Sequence, residues 1–223
     1  MSNEHDYLHY KNVEYCSCIT SIGFEQMSKI GKQAKVLTKQ QIEMVAAYIR
    51  GQRNARRNTV VFLLSARAGL RAKEISGLKW GDVVDSDGAL SDSVVVRNEV
   101  SKGGYGSRRI YMAKDLKAAM EHLKGNRAVG INQSIVASSR TGESMSAQVI
   151  VNWFQGLYGK LGLDGCSSHS GRRTAITNWA RKIGTVGGSI NDVRQLAGHS
   201  SLHMTQSYIE FDSESSRRVV DLV

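Results

Sequence analysis

Ser168-His169-Ser170-Gly171-Arg172-Arg173-Thr174-Ala175-Ile176-Thr177-Asn178-Trp179-Ala180-Arg181-Lys182-Ile183 is the stretch on which the reading of the whole chain turns. Helical spacing puts positions 172, 175, 176, 179 and 183 on one face, which predicts a helix over 170–183. Arg172 continues the apolar stripe into the first turn. A cation there is opposed by the helix dipole and by burial unless an anion meets it. The amides of a first turn are themselves an anion site, so a phosphate would satisfy them and Arg172 together. His169 faces the same way. A second reading stays open, in which Arg172 pairs with a core carboxylate and His169 caps the helix.

Two other segments carry polar residues of the same kind. In Gly69-Leu70-Arg71-Ala72-Lys73-Glu74-Ile75, Arg71 follows a glycine placed to end a helix. Glu74, one helical turn on, could hold its guanidinium, although such i,i+3 pairs are usually surface salt bridges worth little. In Leu196-Ala197-Gly198-His199, a helix ends at Gly198 and His199 occupies the turn, with Tyr208 nine residues later. A lone Tyr or His most often serves packing.

Outward from these segments, Thr38 and Gln41 form a capping box with Leu37 and Ile42 as its hydrophobic staple, predicting a helix through Ile49. Residues 50–57 read as a basic connector and 59–68 as a buried helix stopped by Gly69. The β-rich runs 94–96 and 110–112 flank the turn Ser101-Lys102-Gly103-Gly104-Tyr105-Gly106 and read as a hairpin, and 134–137 could add a third strand. Further helices are expected over 114–123, 147–161 and 192–197, with a last one around Tyr208. The expectation is a mainly α domain with one small antiparallel sheet (α+β) over residues 36–223, preceded by a partly ordered arm, 1–35. The tail 209–223 ends in apolar side chains that would fold back on the domain or dock on a neighbouring copy.

Composition narrows the function classes. The chain has 223 residues, with 30 Lys and Arg against 20 Asp and Glu, and no proline, for which no functional account is offered. At this length about 70% of the unfolded surface can be buried. No window approaches the roughly 20 apolar residues of a membrane span, so a cytoplasmic location is expected. Three cysteines do not make a disulfide framework. His5, His9, Cys16 and Cys18 match no structural zinc spacing, and no metal is expected. The net charge of +10 favours a polyanionic partner, against the reading of a merely solvated basic surface.

Taken in order, Gly69-Leu70-Arg71 with Glu74, Lys102 in a glycine-rich turn, His169 with Arg172, and Leu196-Ala197-Gly198-His199 with Tyr208 resemble the catalytic domain of the tyrosine recombinase (phage integrase) family. The resemblance runs from about Val36 to about Glu210. It implies a site-specific recombinase of the integrase or invertase type, cleaving and rejoining duplex DNA without cofactor or metal. Tyr208 would form a 3′-phosphotyrosyl link, Arg71 and Arg172 would hold the phosphate, and Lys102 would protonate the leaving 5′ oxygen. His169 and His199 would assist, one in proton handling and one as a phosphate donor, with Glu74 supporting Arg71. Arg50, Arg53, Arg56, Arg57 and Arg173 are candidate DNA contacts. The implied partners are double-stranded DNA, further copies of the chain in a tetramer on paired sites, and accessory DNA-bending proteins, with a nucleoid-associated location.

The chain departs from the family pattern in three places. Arg173 stands where a His is common, the glycine-rich stretch 184–188 lengthens a loop, and residues 1–35 are too few for the usual helical DNA clamp. Two rivals use the same residues: a type IB topoisomerase-like relaxase, and a non-catalytic DNA-binding regulator derived from an integrase.

Overall fold

Thr38 accepts a hydrogen bond from the Gln41 amide (3.2 Å) while the Gln41 side chain accepts one from the Thr38 amide (2.9 Å), so the expected capping box starts α1, Lys39–Arg50. In the computed structural model, residues 33–99 and 107–208 are described. The arm 1–35, the Lys102 turn and the tail 209–223 therefore lie wholly or largely outside the described residues. Ile42, Val45 and Ile49 bury one face of α1, and Leu37 is fixed in the core beside them, its amide donating to Thr174 Oγ1 (2.8 Å).

The next helix, α2, spans Ala55–Ala66, four residues longer at its start than the sequence suggested. The discrepancy includes Arg56 and Arg57, which the sequence reading placed in the basic connector. Arg57 is accommodated by fixed acceptors: it donates to Asn58 Oδ1 and to the Ala137 carbonyl (3.0 Å). Asn54, in the left-handed conformation (φ 63°), makes the turn before it. From Val60 to Leu64 every side chain is buried, as expected of a central helix, and α2 packs against α1 and three later helices.

Gly69 ends this segment as expected. Its φ of +64° and the bonds from its amide to Ser65 O and from Leu70 N to Leu64 O close the C-terminal turn. A Cβ there would lie 2.9 Å from the Trp179 ring, so the turn needs glycine for both conformation and space. It delivers Arg71 to the start of the short helix α3, Ala72–Gly77.

Strands β1 (Ser93–Val96) and β2 (Arg108–Tyr111) pair antiparallel, with Val94 opposite Ile110 and Val96 opposite Arg108. Among the described residues this is the only sheet. The segment 134–137 is not a third strand: it makes single bridges, Lys79 to Ser134 and Ala137 to Ser144, while burying Ile135 and Val136. Squeezed between two partners for one pairing each, it never builds a ladder.

Helices α4 (Lys114–Lys124), α5 (Ala147–Lys160) and α6 (Ser170–Ile183) stand where expected, and α4 and α6 flank α2. Helix α7, Ile190–Ala197, begins two residues early because Asp192 accepts from the Ser189 amide (2.7 Å). The last helix among the described residues, α8 (Leu202–Gln206), stops short of Tyr208. The described residues from Ala34 onward form one compact unit. A main apolar core surrounds α2, and a smaller cluster of Ile176, Val193 and Ala197 receives the partly buried Trp179 and Tyr208. No described helix is long and apolar enough to cross a membrane.

Candidate active site

Glu74 is fully buried and accepts four hydrogen bonds. Oε1 takes Arg71 Nη1 (3.0 Å) and Arg108 Nη1 (3.0 Å); Oε2 takes the Arg71 amide (2.8 Å) and Arg108 Nη2 (2.9 Å). Burial alone would push this carboxyl up, but the Arg108 bonds and the charges around it leave it below the ordinary carboxylate value. Glu74 is therefore an anion clamped between two cations. The i,i+3 contact with Arg71 is thus part of a buried network and not a surface salt bridge.

Arg172 occupies the first turn of α6 and is only 2% exposed. It donates to the Gly69 carbonyl, the Ala197 carbonyl (2.8 Å) and His199 Nε2 (2.9 Å). Its partners join the α2 turn to the end of α7. No carboxylate forms an ion pair with it among the described residues, so the core-carboxylate reading of Arg172 does not hold. Burial and then the Arg71 charge push its pKa down to about 10, with Glu74 and the Tyr208 phenol acting the other way. It stays cationic at neutral pH.

His199 follows Gly198, whose left-handed φ of +62° turns the chain at the end of α7. A guanidinium has no acceptor, so Nε2 must accept from Arg172 and the ring proton belongs on Nδ1, which donates to Thr205 Oγ1 (3.0 Å). His199 is neutral by geometry. Desolvation, reinforced by Arg172, Arg71 and Arg108, pushes its pKa down to about 4 from an ordinary value of 6.5.

A testable consequence concerns acid stability. Because the folded pKa lies below the unfolded one, the stability contributed by neutral His199 is complete above about pH 6.5 and is lost as pH falls toward about 4, roughly 3 kcal/mol in all. Urea midpoints of the unchanged protein should fall faster across that window than those of His199→Gln. Parallel curves would show that the imidazole does not titrate as its surroundings require.

Tyr208 stacks on the His199 ring, with centroids 5.2 Å apart and planes at 29°, and the Arg173 guanidinium lies 5.6 Å from its ring centroid. Its backbone is fixed by donation to Thr205 O (3.0 Å) and acceptance from Thr177 Oγ1 (3.0 Å). His169 holds the N-cap position of α6 without capping it, since its backbone is helical and its side chain makes no cap bond. Its solvent-accessible ring has Nδ1 3.4 Å from Ser168 Oγ, and desolvation followed by the Arg172 and Arg71 charges lowers its pKa.

The fold thus brings together Arg71, Glu74, Arg172, His199 and Tyr208, with His169 within reach of the Arg172 and Arg71 charges. Lys102 lies outside the described residues. Arg50, Arg53 and Arg56 are exposed on the α1–α2 corner, whereas the fork of Arg57 is used inside the protein and Arg173 attends the Tyr208 ring. Arg108 was not singled out from the sequence. Its position two residues before buried Ile110, on the inward face of β2, is the signal that could have found it.

Among curated proteins, none matches the chain by sequence. Solved structures do match it in fold. A Tn1549 transposon integrase fragment, solved in complex with a circular-intermediate DNA, superposes with a TM-score of 0.66 at 19% identity, covering 86% of this chain and 67% of that one. XerA recombinase gives 0.65 at 22% identity, covering 84% and 64%. A lambda integrase fragment, solved as a dimer bound to a core site, gives 0.57 at 18%, covering 81% and 63%. The chain therefore spans about two thirds of the length of these chains. The family described as "Phage integrase family" matches residues 35–215, and with most of its length accounted for in this way, the chain belongs to that family.

Proposed function

We propose that the protein is a tyrosine-type site-specific DNA recombinase that cleaves and rejoins duplex DNA through Tyr208. The observation that carries this reading is the charge balance beside Tyr208: three guanidinia, Arg71, Arg108 and Arg172, face one carboxylate, Glu74, and Arg172 is buried without a carboxylate of its own. Buried positive charge in such excess calls for an anion, and a phosphodiester in a DNA backbone supplies one. In the reaction, Tyr208 Oη bonds to phosphorus while the bond from phosphorus to the 5′ oxygen breaks, leaving a 3′-phosphotyrosyl ester and a free 5′ hydroxyl. Attack by a 5′ hydroxyl on that ester reverses the step. Arg71 and Arg172 neutralise charge growing on the non-bridging oxygens.

The two histidines divide the remaining work. His199 has both ring nitrogens engaged, with Arg172 and Thr205, so its role is to orient Arg172 and support the Tyr208 ring. His169, neutral at neutral pH and accessible, accepts the phenolic proton. The protein's substrate is duplex DNA held by several copies of the chain, in the cytoplasm and on the nucleoid. The test is to incubate the protein with nicked genomic fragments, denature, and map any retained nucleotide by mass spectrometry. A nucleotide on Tyr208 is expected; no covalent product, or one on another residue, would sink the proposal.

Lys102 is assigned the general acid. Lys102→Ala should slow cleavage by about 10²- to 10⁴-fold on ordinary DNA. It should recover on DNA whose bridging 5′ oxygen is sulfur, a leaving group that needs no proton. Equal impairment on both substrates would restrict Lys102 to binding.

A further inference from the structure

Arg108, its side chain 11% exposed, bridges Glu74 and the end of α7. Its Nη1 and Nη2 form a parallel fork onto Glu74 (3.0 and 2.9 Å), and its Nε donates to the Leu196 carbonyl (3.1 Å). The next carbonyl along the chain, that of Ala197, accepts from Arg172. The guanidinium also lies flat under Gly198: a Cβ there would sit 2.7 Å from Arg108 Nη1 and 3.0 Å from Cζ. A continuous chain of hydrogen bonds thus runs from Arg71 through Glu74 and Arg108 to the end of α7, and from there to Arg172 and His199.

Two physical consequences follow from that arrangement. The first is geometric. Glu74 sets the direction of Arg71, and the Ala197 carbonyl helps to set that of Arg172, so a residue bonded to Glu74 and to the adjoining Leu196 carbonyl fixes the two phosphate-holding forks relative to each other. The second is electrostatic. A carboxylate paired with Arg71 alone would cancel its charge. With Arg108 satisfying Glu74 through both oxygens, Arg71 keeps a net positive field for the substrate.

We propose that Arg108 is a positioning residue for strand transfer, tying Glu74 and the end of α7 into one unit so that Arg71 and Arg172 meet the same phosphate. This rests on the strand-transfer reading above. It is distinct from a role in folding alone, because its effect must depend on the charge of the phosphate.

The experiment uses the full chain, Arg108→Met and Arg108→Lys, on a target fragment recovered by covalent capture. On the ordinary phosphodiester, adduct formation by Arg108→Met should slow by about 10²-fold or more, the scale of losing one oriented donor at a phosphoryl centre. On the same fragment carrying a methylphosphonate at the scissile position, where a neutral methyl replaces a charged oxygen, a misaligned guanidinium matters less, and the deficit should shrink to within roughly fivefold. Arg108→Lys keeps the charge but cannot reach Glu74 and Leu196 together, and should fall between; it carries the test if Arg108→Met does not fold. A second arm needs no reaction: inorganic phosphate binding, read from the His199 ring resonances, should weaken by about tenfold or more in the variants. Equal slowing on both substrates, unchanged phosphate affinity, or an unchanged protein whose site takes up no phosphate would each overturn the proposal. An unchanged protein that binds phosphate yet forms no adduct would instead strike the strand-transfer reading, and the phosphate arm would still decide the role of Arg108.

Discussion

Tyr208→Phe should bind DNA with affinity within about threefold of the unchanged protein and form no covalent adduct at all. Only the hydroxyl is removed. The ring contacts that hold the side chain, stacking on His199 and the Arg173 guanidinium near its face, do not involve that oxygen, and the backbone bonds to Thr205 and Thr177 are untouched. Removing a hydroxyl from this partly buried side chain, with its ring packing intact, should change stability by no more than about 0.5 kcal/mol. Two other described tyrosines, Tyr158 and Tyr111, are poor substitutes. Tyr158 is buried, its hydroxyl has no partner, and burial pushes its phenol well above the ordinary value. Tyr111 is 75% exposed on the outward face of β2, away from the guanidinia that Arg108 anchors on the inward face. Residual adduct in Tyr208→Phe, measured by gel shift after denaturation, would move the nucleophile elsewhere.

Why some of this was legible in the sequence and some was not follows from the range of the interactions. The Thr38 box, the Gly69 turn and the helix over 170–183 rest on contacts within six residues, and they stand as the sequence implied. The early start of α2 was hidden because Arg57 finds an acceptor at Ala137, 80 residues away. The third strand failed for the opposite reason: 134–137 has the composition of a strand, but its two neighbours each offer it a single bridge. At the site, periodicity placed Arg172 in the core and left its partner undecided. Two of its three partners are backbone carbonyls, at Gly69 and Ala197, groups that every residue carries and no sequence pattern marks. Arg108 was missed because its role depends on Glu74 and Leu196, 34 and 88 residues distant. Local rules find the residues that present chemistry more readily than those that hold it in place.

Arg172→Met should separate activity from stability most sharply. For the fold, two large terms oppose each other. The substitution leaves the Gly69 and Ala197 carbonyls and His199 Nε2 without their donor, at about 1 to 3 kcal/mol for each buried acceptor that finds no other partner. It also removes a guanidinium whose burial, beside Arg71 and without its own carboxylate, costs several kcal/mol. Methionine fills a similar volume with flexible apolar atoms. The net change in unfolding free energy should therefore stay within about 2 kcal/mol of zero. For the reaction there is no such offset. The variant loses a planar donor aimed at the phosphate and releases His199 from the bond that fixes its tautomer, so adduct formation should slow by about 10³-fold or more. Denaturant melts beside single-turnover cleavage of a captured target fragment would check both halves. Stability lost by more than about 4 kcal/mol would make Arg172 chiefly a strut between α2 and α7, and cleavage within tenfold of the unchanged protein would remove it from the phosphate site.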